Sequence, residues 1–169
     1  MINKRRKTAK FKEGDVFAFP LNSGGYAVGL ITRVSEYKIP LGYFFNKKYE
    51  TMPKGIEQDL IKKENAILIK RFGVQGFMDE TWIILGQLEN FKSGDWKVPL
   101  FIRVPSLSPA EFIYYDNNLK ETKSEMVPKG TDINKYYSDS LSGSGAVEIV
   151  ITAYFEGKES PIIKWGDLA

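Results

Sequence analysis

The sequence predicts a mainly β, β-rich α+β protein: a twisted antiparallel or barrel-like sheet with one or two short helices. Three observations carry this. The apolar runs are short, and turn-forming residues punctuate them densely, with 15 Gly and 8 Pro in 169 residues. Aromatic and β-branched residues dominate the runs, as pleated, half-buried strands favour. A 43% apolar content supplies one core at this length. The organisation that follows is a basic arm over residues 1–12, one domain over 13–155 and an extension over 156–169.

GDVFAFPL (14–21) reads as the first strand and YAVGLITRV (26–34) as the second. Between them Asn22-Ser23-Gly24-Gly25 is a turn, because Gly accepts positive φ and Asn bonds its own turn. Neither strand has a polar face, as expected where both faces are covered. Gly29 in mid-strand signals a bulge or a close approach. LGYFF (41–45) is a short aromatic strand. IEQDLIKK (56–63) spaces Ile56, Leu60 and Ile61 at helical intervals. AILIKRF (66–72) and TWIILGQL (81–88) are strands, joined by a tight connection over 71–77. There Arg71 is placed to bond loop carbonyls or a carboxylate. GDWKVPLFIRV (94–104) is strand-like, with Pro99 forcing an edge or bulge. Ser108-Pro109 is a turn before the strand FIYYD (112–116). TDINKYYSDS (131–140) is a helical turn or a loop. AVEIVITAYF (146–155) fits both periods, and its β-branched content assigns it to a strand. Trp82 and Trp96 are core anchors, and Trp165 is the exposed one.

Four short echoes recur in one order: Gly14-Asp15 with Pro20 and Gly94-Asp95 with Pro99; YFFN (43–46) and YYDN (114–117); Pro53-Lys54-Gly55 and Pro128-Lys129-Gly130; AILI (66–69) and AVEI (146–149). They raise the option of two pseudo-repeated β units, which requires 14–72 and 94–152 to share a strand order.

The composition narrows the chemistry. There is no His and no Cys, which removes imidazole and thiolate metal sites, disulfides, catalytic cysteines and Ser-His-Asp triads. Ser142-Gly143-Ser144-Gly145 lacks the Gly-x-Ser-x-Gly frame and reads as a flexible turn. The carboxylate pairs Asp79-Glu80 and Glu57 with Asp59, like the single Asp15, have no motif behind them. Arg71-Phe72-Gly73-Val74-Gln75-Gly76-Phe77 runs into a strand rather than a helix, which speaks against a phosphate loop. No catalytic residue, cofactor or metal is expected. The arm holds six of the 24 basic residues and none of the 21 acidic ones, so the rest of the chain has a net charge of −3. The arm reads as a solvated tail, and nucleic acid is not the expected partner. No apolar segment follows the basic start, and no run approaches ~20 apolar residues. A cytoplasmic location without membrane contact is expected.

GDVFAFPLNSGGYAVG (14–29), LGYFFNKKY (41–49), AILIKRFGVQG (66–76), TWIILG (81–86), WKVPLFIR (96–103), FIYYDNNLK (112–120) and GSGAVEI (143–149) form an ordered set. In this it resembles the immunity protein 26 family of bacterial polymorphic toxin systems, over roughly residues 11–152. Two departures stand out: Thr81-Trp82-Ile83 lacks the family's Pro after the Trp, and 156–169 lies outside the likeness. The resemblance implies a mostly β fold and a non-enzymatic role, binding and neutralising a co-encoded toxin. It carries over no contact residues. Physical chemistry supplies candidates, since interfaces concentrate energy in aromatic anchors ringed by polar groups, and acidic groups speed association with a basic nuclease. The turn-rich segments combining both are Phe77-Met78-Asp79-Glu80 and Glu89-Asn90-Phe91 through Asp95. The toxin-binding candidates are therefore Phe77, Met78, Asp79, Glu80, Glu89, Phe91 and Asp95. Two other classes stay open: a small-barrel ribonuclease toxin using Thr32, Arg33 and Ser35, and a nucleic-acid-binding module using the arm.

Overall fold

The computed structural model describes residues 8–158. Five antiparallel strands form the first sheet: β1 (Asp15–Pro20), β2 (Tyr26–Val34), β3 (Pro40–Phe45), β4 (Ala66–Arg71) and β5 (Ile83–Gln87), in the order β4-β3-β2-β1-β5. The second sheet holds β6 (Phe101–Arg103), β7 (Glu111–Tyr115), β8 (Glu121–Met126) and β9 (Tyr137–Ser138), in the order β8-β7-β6-β9. In it β6 and β9 run parallel. Among the described residues there are two α-helices, α1 (Gln75–Met78) and α2 (Ser144–Phe155). The protein is mainly β, and neither sheet closes into a barrel.

The first hairpin forms as its residues dictate. Gly24 and Gly25 take φ of +91° and +79°, and the Leu21 N–H donates to the Gly25 carbonyl at 2.9 Å. The absence of a polar face on these strands has its counterpart in burial on both sides: every residue of β3 and all but the ends of β2 are buried. One face packs Phe17, Phe19, Phe44 and Phe72 around Trp82, whose ring stacks on Phe17 at 5.3 Å and 10°. Gly29 pairs with Phe17 across β1 and β2, and a Cβ there would lie 2.4 Å from Phe17 Cζ. The glycine is the space into which that ring lies. On the other face, Tyr43 and Phe45 pack edge-on against Trp96. Trp82 and Trp96 are 2% and 5% exposed, so both are core anchors. Trp165 lies outside the described residues.

Several sequence expectations are corrected. Residues 146–155 are helical, not a strand. A strand would put Val147, Ile149 and Ile151 on one face. Instead Val147, Val150 and Ile151 form a buried i, i+3, i+4 stripe and Ile149 is 57% exposed. Residues 56–63 are turns rather than a helix, held by i to i+3 bonds such as Leu60 N–H to Glu57 O, before a single 3-10 turn over Lys63–Asn65. The segment is too short to nucleate a stable helix, and the Asn65 amide takes the Leu60 carbonyl at 3.0 Å. The connection between β4 and β5, read as a tight link over 71–77, forms the helical turn α1 from Gln75. A Cβ at Gly76 would lie 2.4 Å from the Trp82 ring, so only glycine lets that ring settle on the turn. In 94–104 only Phe101–Arg103 is strand, because a 3-10 turn at Ser93–Asp95 aims Trp96 inward and Pro99 has no N–H to pair.

Ser142–Gly145 is not a free turn. Ser142 bridges Phe72, and Ser144 opens α2 with its hydroxyl accepting from Gly76 N–H and donating to the Gly73 carbonyl. The pseudo-repeat fails on topology: the first unit is an antiparallel meander, the second contains a parallel pair, and AVEI is helical where AILI is strand. Strand β8 had no signal, since an exposed edge strand reading ETKSEM shows no apolar alternation. Of the expected arm, residues 1–7 lie outside the described residues. Ala9 and Phe11 pack on the core, with Phe11 stacked on Phe77 at 5.5 Å.

Candidate functional site

The densest polar chemistry lies where the two sheets meet. After β9 the chain passes along the free edge of β4, and this carries Asp139 between the sheets. The Asp139 side chain is 5% exposed. Its carboxylate accepts from Tyr115 OH at 2.6 Å, Arg103 Nε at 2.8 Å and Arg71 Nη2 at 3.3 Å. Arg71 Nη2 also donates to the Asp139 carbonyl at 2.7 Å, and its guanidinium lies over the Tyr115 ring at 4.9 Å. The loop carbonyl and carboxylate expected as Arg71 partners both belong to Asp139. Burial, and then the bond to Asp139, pushes the Tyr115 hydroxyl up to about 12, which keeps it a donor. Nothing in the sequence pattern marks Asp139, since its partners come from β4, β6 and β7.

Beside this clamp Lys70 is 2% exposed. Its ammonium donates to Ser140 Oγ at 2.8 Å and to the Ser138 carbonyl at 3.3 Å. Burial pushes the amine down to about 8, with the nearby Asp139 charge opposing and Arg71 adding to the shift. These groups tie the segment after β9 to β4. Other polar groups are similarly committed. Trp82 Nε1 donates to Glu148 at 2.7 Å, joining β5 to α2. Asp15 accepts from Lys12 N–H and from the Gln87 amide. Glu57 accepts from Lys47 and Tyr49, and these bonds hold its carboxyl below the usual range. Among the described residues no group of three carboxylates is placed to hold a metal. The ribonuclease alternative loses its cluster: Thr32 is fully buried and Arg33 is 3% exposed, with Arg33 Nη1 bonded to the Thr32 carbonyl.

The candidate interface residues divide. Phe77 is a core residue at 8% exposure, edge-on to Phe17 and Trp82, so its ring is corrected from surface anchor to packing. Met78 is half-buried, whereas Asp79 and Glu80 are exposed. Gln75 holds Asp79 at 2.7 Å, and Glu80 takes φ +60°. Glu89 and Asp95 are exposed and Phe91 is half-buried beside Gly14. Between these residues Asn90 takes φ +54°. The two segments lie at opposite ends of β5, roughly 16 Å of strand apart, so they form two surfaces rather than one. Glu89, Phe91 and Asp95 share a groove with Lys62, Lys63 and Trp96.

Together these features define a small two-sheet protein whose interior polar groups serve its own frame and whose turns present charge outward. The chain belongs to the immunity protein 26 family, whose model matches residues 12–113, from the end of the arm into β7. No curated protein and no solved structure matches the chain. Among the described residues no helix is long and apolar enough to cross a membrane.

Proposed function

We propose that this protein binds a toxin domain encoded beside it and neutralises that toxin by occupying it, with no catalysis of its own. Membership of the immunity protein 26 family over residues 12–113 carries the reading. Contact is assigned to Met78, Asp79 and Glu80 at one end of β5 and to Glu89, Phe91 and Asp95 at the other. The net charge of −3 outside the arm favours a cationic partner such as a nuclease, whose phosphate-binding residues would meet these carboxylates. Co-expression with the neighbouring toxin domain tests the reading. The wild-type chain should protect cells and co-purify with the toxin in a stoichiometric complex. Asp79→Lys with Glu80→Lys should weaken protection without lowering the melting temperature. Full protection by that variant removes the Met78–Glu80 turn from the interface. Failure of the wild-type chain to bind or protect removes the immunity function.

A further inference from the structure

A cleft of about 550 Å³ opens between β3, β4 and the segments entering β6 and β9. Its floor is apolar and aromatic. Tyr43 and Trp96 pack edge-on at 5.0 Å, and Tyr43 OH donates to the Lys97 carbonyl at 2.6 Å. Burial pushes the Tyr43 hydroxyl up to about 12, so this donor stays committed. Tyr136 and Pro99 extend the apolar lining. The rim is different: Lys63, Lys97 and Lys135 all border the cleft, and among the described residues no Asp or Glu does. All three lysines are exposed, and among the described residues none forms a salt bridge. Lys63 and Lys135 each belong to a 3-10 turn, and Lys97 follows directly on Trp96, so ordered backbone fixes where they emerge. On a body with net negative charge this is a local concentration of uncompensated cations over aromatic rings.

We propose that this cleft receives an acidic segment of the toxin partner, its carboxylates meeting Lys63, Lys97 and Lys135 and an apolar side chain entering over Tyr43 and Tyr136. The inference rests on the toxin-binding reading and adds a second chemistry to it. The Glu89–Asp95 groove adjoins the cleft, because Lys63 borders both. One partner surface can therefore set cations against Glu89 and Asp95 and carboxylates against the lysines. Such alternation fixes register as well as attraction, since a shift along the surface juxtaposes like charges.

The full chain is titrated with a fluorescein-labelled hexaglutamate peptide. Saturable binding is expected, weakening about tenfold between 50 and 300 mM salt as exposed charges are screened. It should fall at least tenfold in the triple variant Lys63→Glu/Lys97→Glu/Lys135→Glu and persist when Lys4, Arg5, Arg6 and Lys7 of the arm are changed to Gln. No binding at millimolar peptide, or binding that follows the arm charges instead, overturns the cleft. So does a single-stranded oligonucleotide of equal charge that competes better than the peptide, because that outcome assigns the cleft to nucleic acid. With the toxin domain, the triple variant should bind about 100-fold more weakly and lose protection. Its Lys→Ala counterpart, with an unchanged melting temperature, should give an intermediate loss. Wild-type protection by both variants overturns the docking assignment. A wild-type chain that takes the peptide but ignores the toxin refutes the immunity function instead, so the two failures are distinct.

Discussion

Replacing Asp139 by Ala removes the common acceptor of Arg71, Arg103 and Tyr115. Breaking a buried ion pair by deleting one partner costs about 3–5 kcal/mol, because the remaining charge stays desolvated. Two features place this site at the low end. The Arg103 side chain is 39% exposed and keeps Glu121 at 3.0 Å, so it can relax into water. Arg71 keeps the residue 139 carbonyl at 2.7 Å. Against that, the Arg71 side chain is only 18% exposed and Tyr115 OH loses its acceptor, the latter worth about 1 kcal/mol. The expected loss is therefore ~3 kcal/mol, or a fall of about 10 °C in Tm for a domain of this size. Urea denaturation at pH 7 measures it. Asp139→Asn keeps the shape and one acceptor and should cost about half as much. In a double-mutant cycle with Arg71→Met, the two losses should be less than additive by more than 1 kcal/mol. A loss below ~1 kcal/mol with an unchanged denaturant slope would refute the clamp and show that water already screens these charges.

Trp82→Ala should cost about 3–5 kcal/mol, since it empties the centre of the aromatic layer and strips Glu148 of its donor; an unchanged urea midpoint would contradict the packing. Gly29→Ala should destabilise by at least ~2 kcal/mol because its Cβ would meet Phe17 at 2.4 Å within a strand buried on both sides; Phe17→Leu in the same chain should recover part of that loss. Lys70 gives a pH dependence of definite sign. Its amine is pushed down to about 8 from an ordinary 10.5, so between those values the unfolded chain holds a proton the folded chain has released. Stability should climb as pH rises from about 8 toward 10, by an amount on the order of 2–3 kcal/mol. Above pH 10 the raised tyrosines Tyr43 and Tyr115 reverse the trend, because they ionise in the unfolded chain before the folded one. Lys70→Met should flatten the rise between pH 8 and 10, and a flat wild-type profile would show that Lys70 is hydrated.

The sequence alone determined what one strand and its nearest turn decide. Asn22–Gly25 reads as the first hairpin turn, the apolar pattern of residues 14–21 calls for cover on both faces, and Gly29 marks a bulge or a close approach. Each reading follows from backbone sterics or side-chain alternation within a few residues, and the choice between bulge and close approach at Gly29 falls to Phe17, whose ring lies over it. The family resemblance, read over roughly residues 11–152, was legible for the same reason, since it lies in ordered strands and turns, and the family model matches residues 12–113 of that span. The carboxylates Asp79, Glu80, Glu89 and Asp95 are exposed, as acidic residues in turns usually are. Phe77 was misplaced, because whether an aromatic beside a turn faces inward depends on Phe11 and Trp82, which lie elsewhere in the chain.

The remaining features depend on how distant segments pack. Residues 146–155 fit both periods, and the choice of helix rests on a buried stripe of Val147, Val150 and Ile151 and a bond from Trp82 Nε1 to Glu148 that local propensity cannot register. Asp139 acquires its role from three strands that converge only when the sheets meet. The lysine-rimmed cleft joins Lys63, Lys97 and Lys135 across more than seventy residues of chain. Local rules act over a turn of helix or a pair of strand residues, whereas the polar hub and the cleft are set by the packing of one sheet on another.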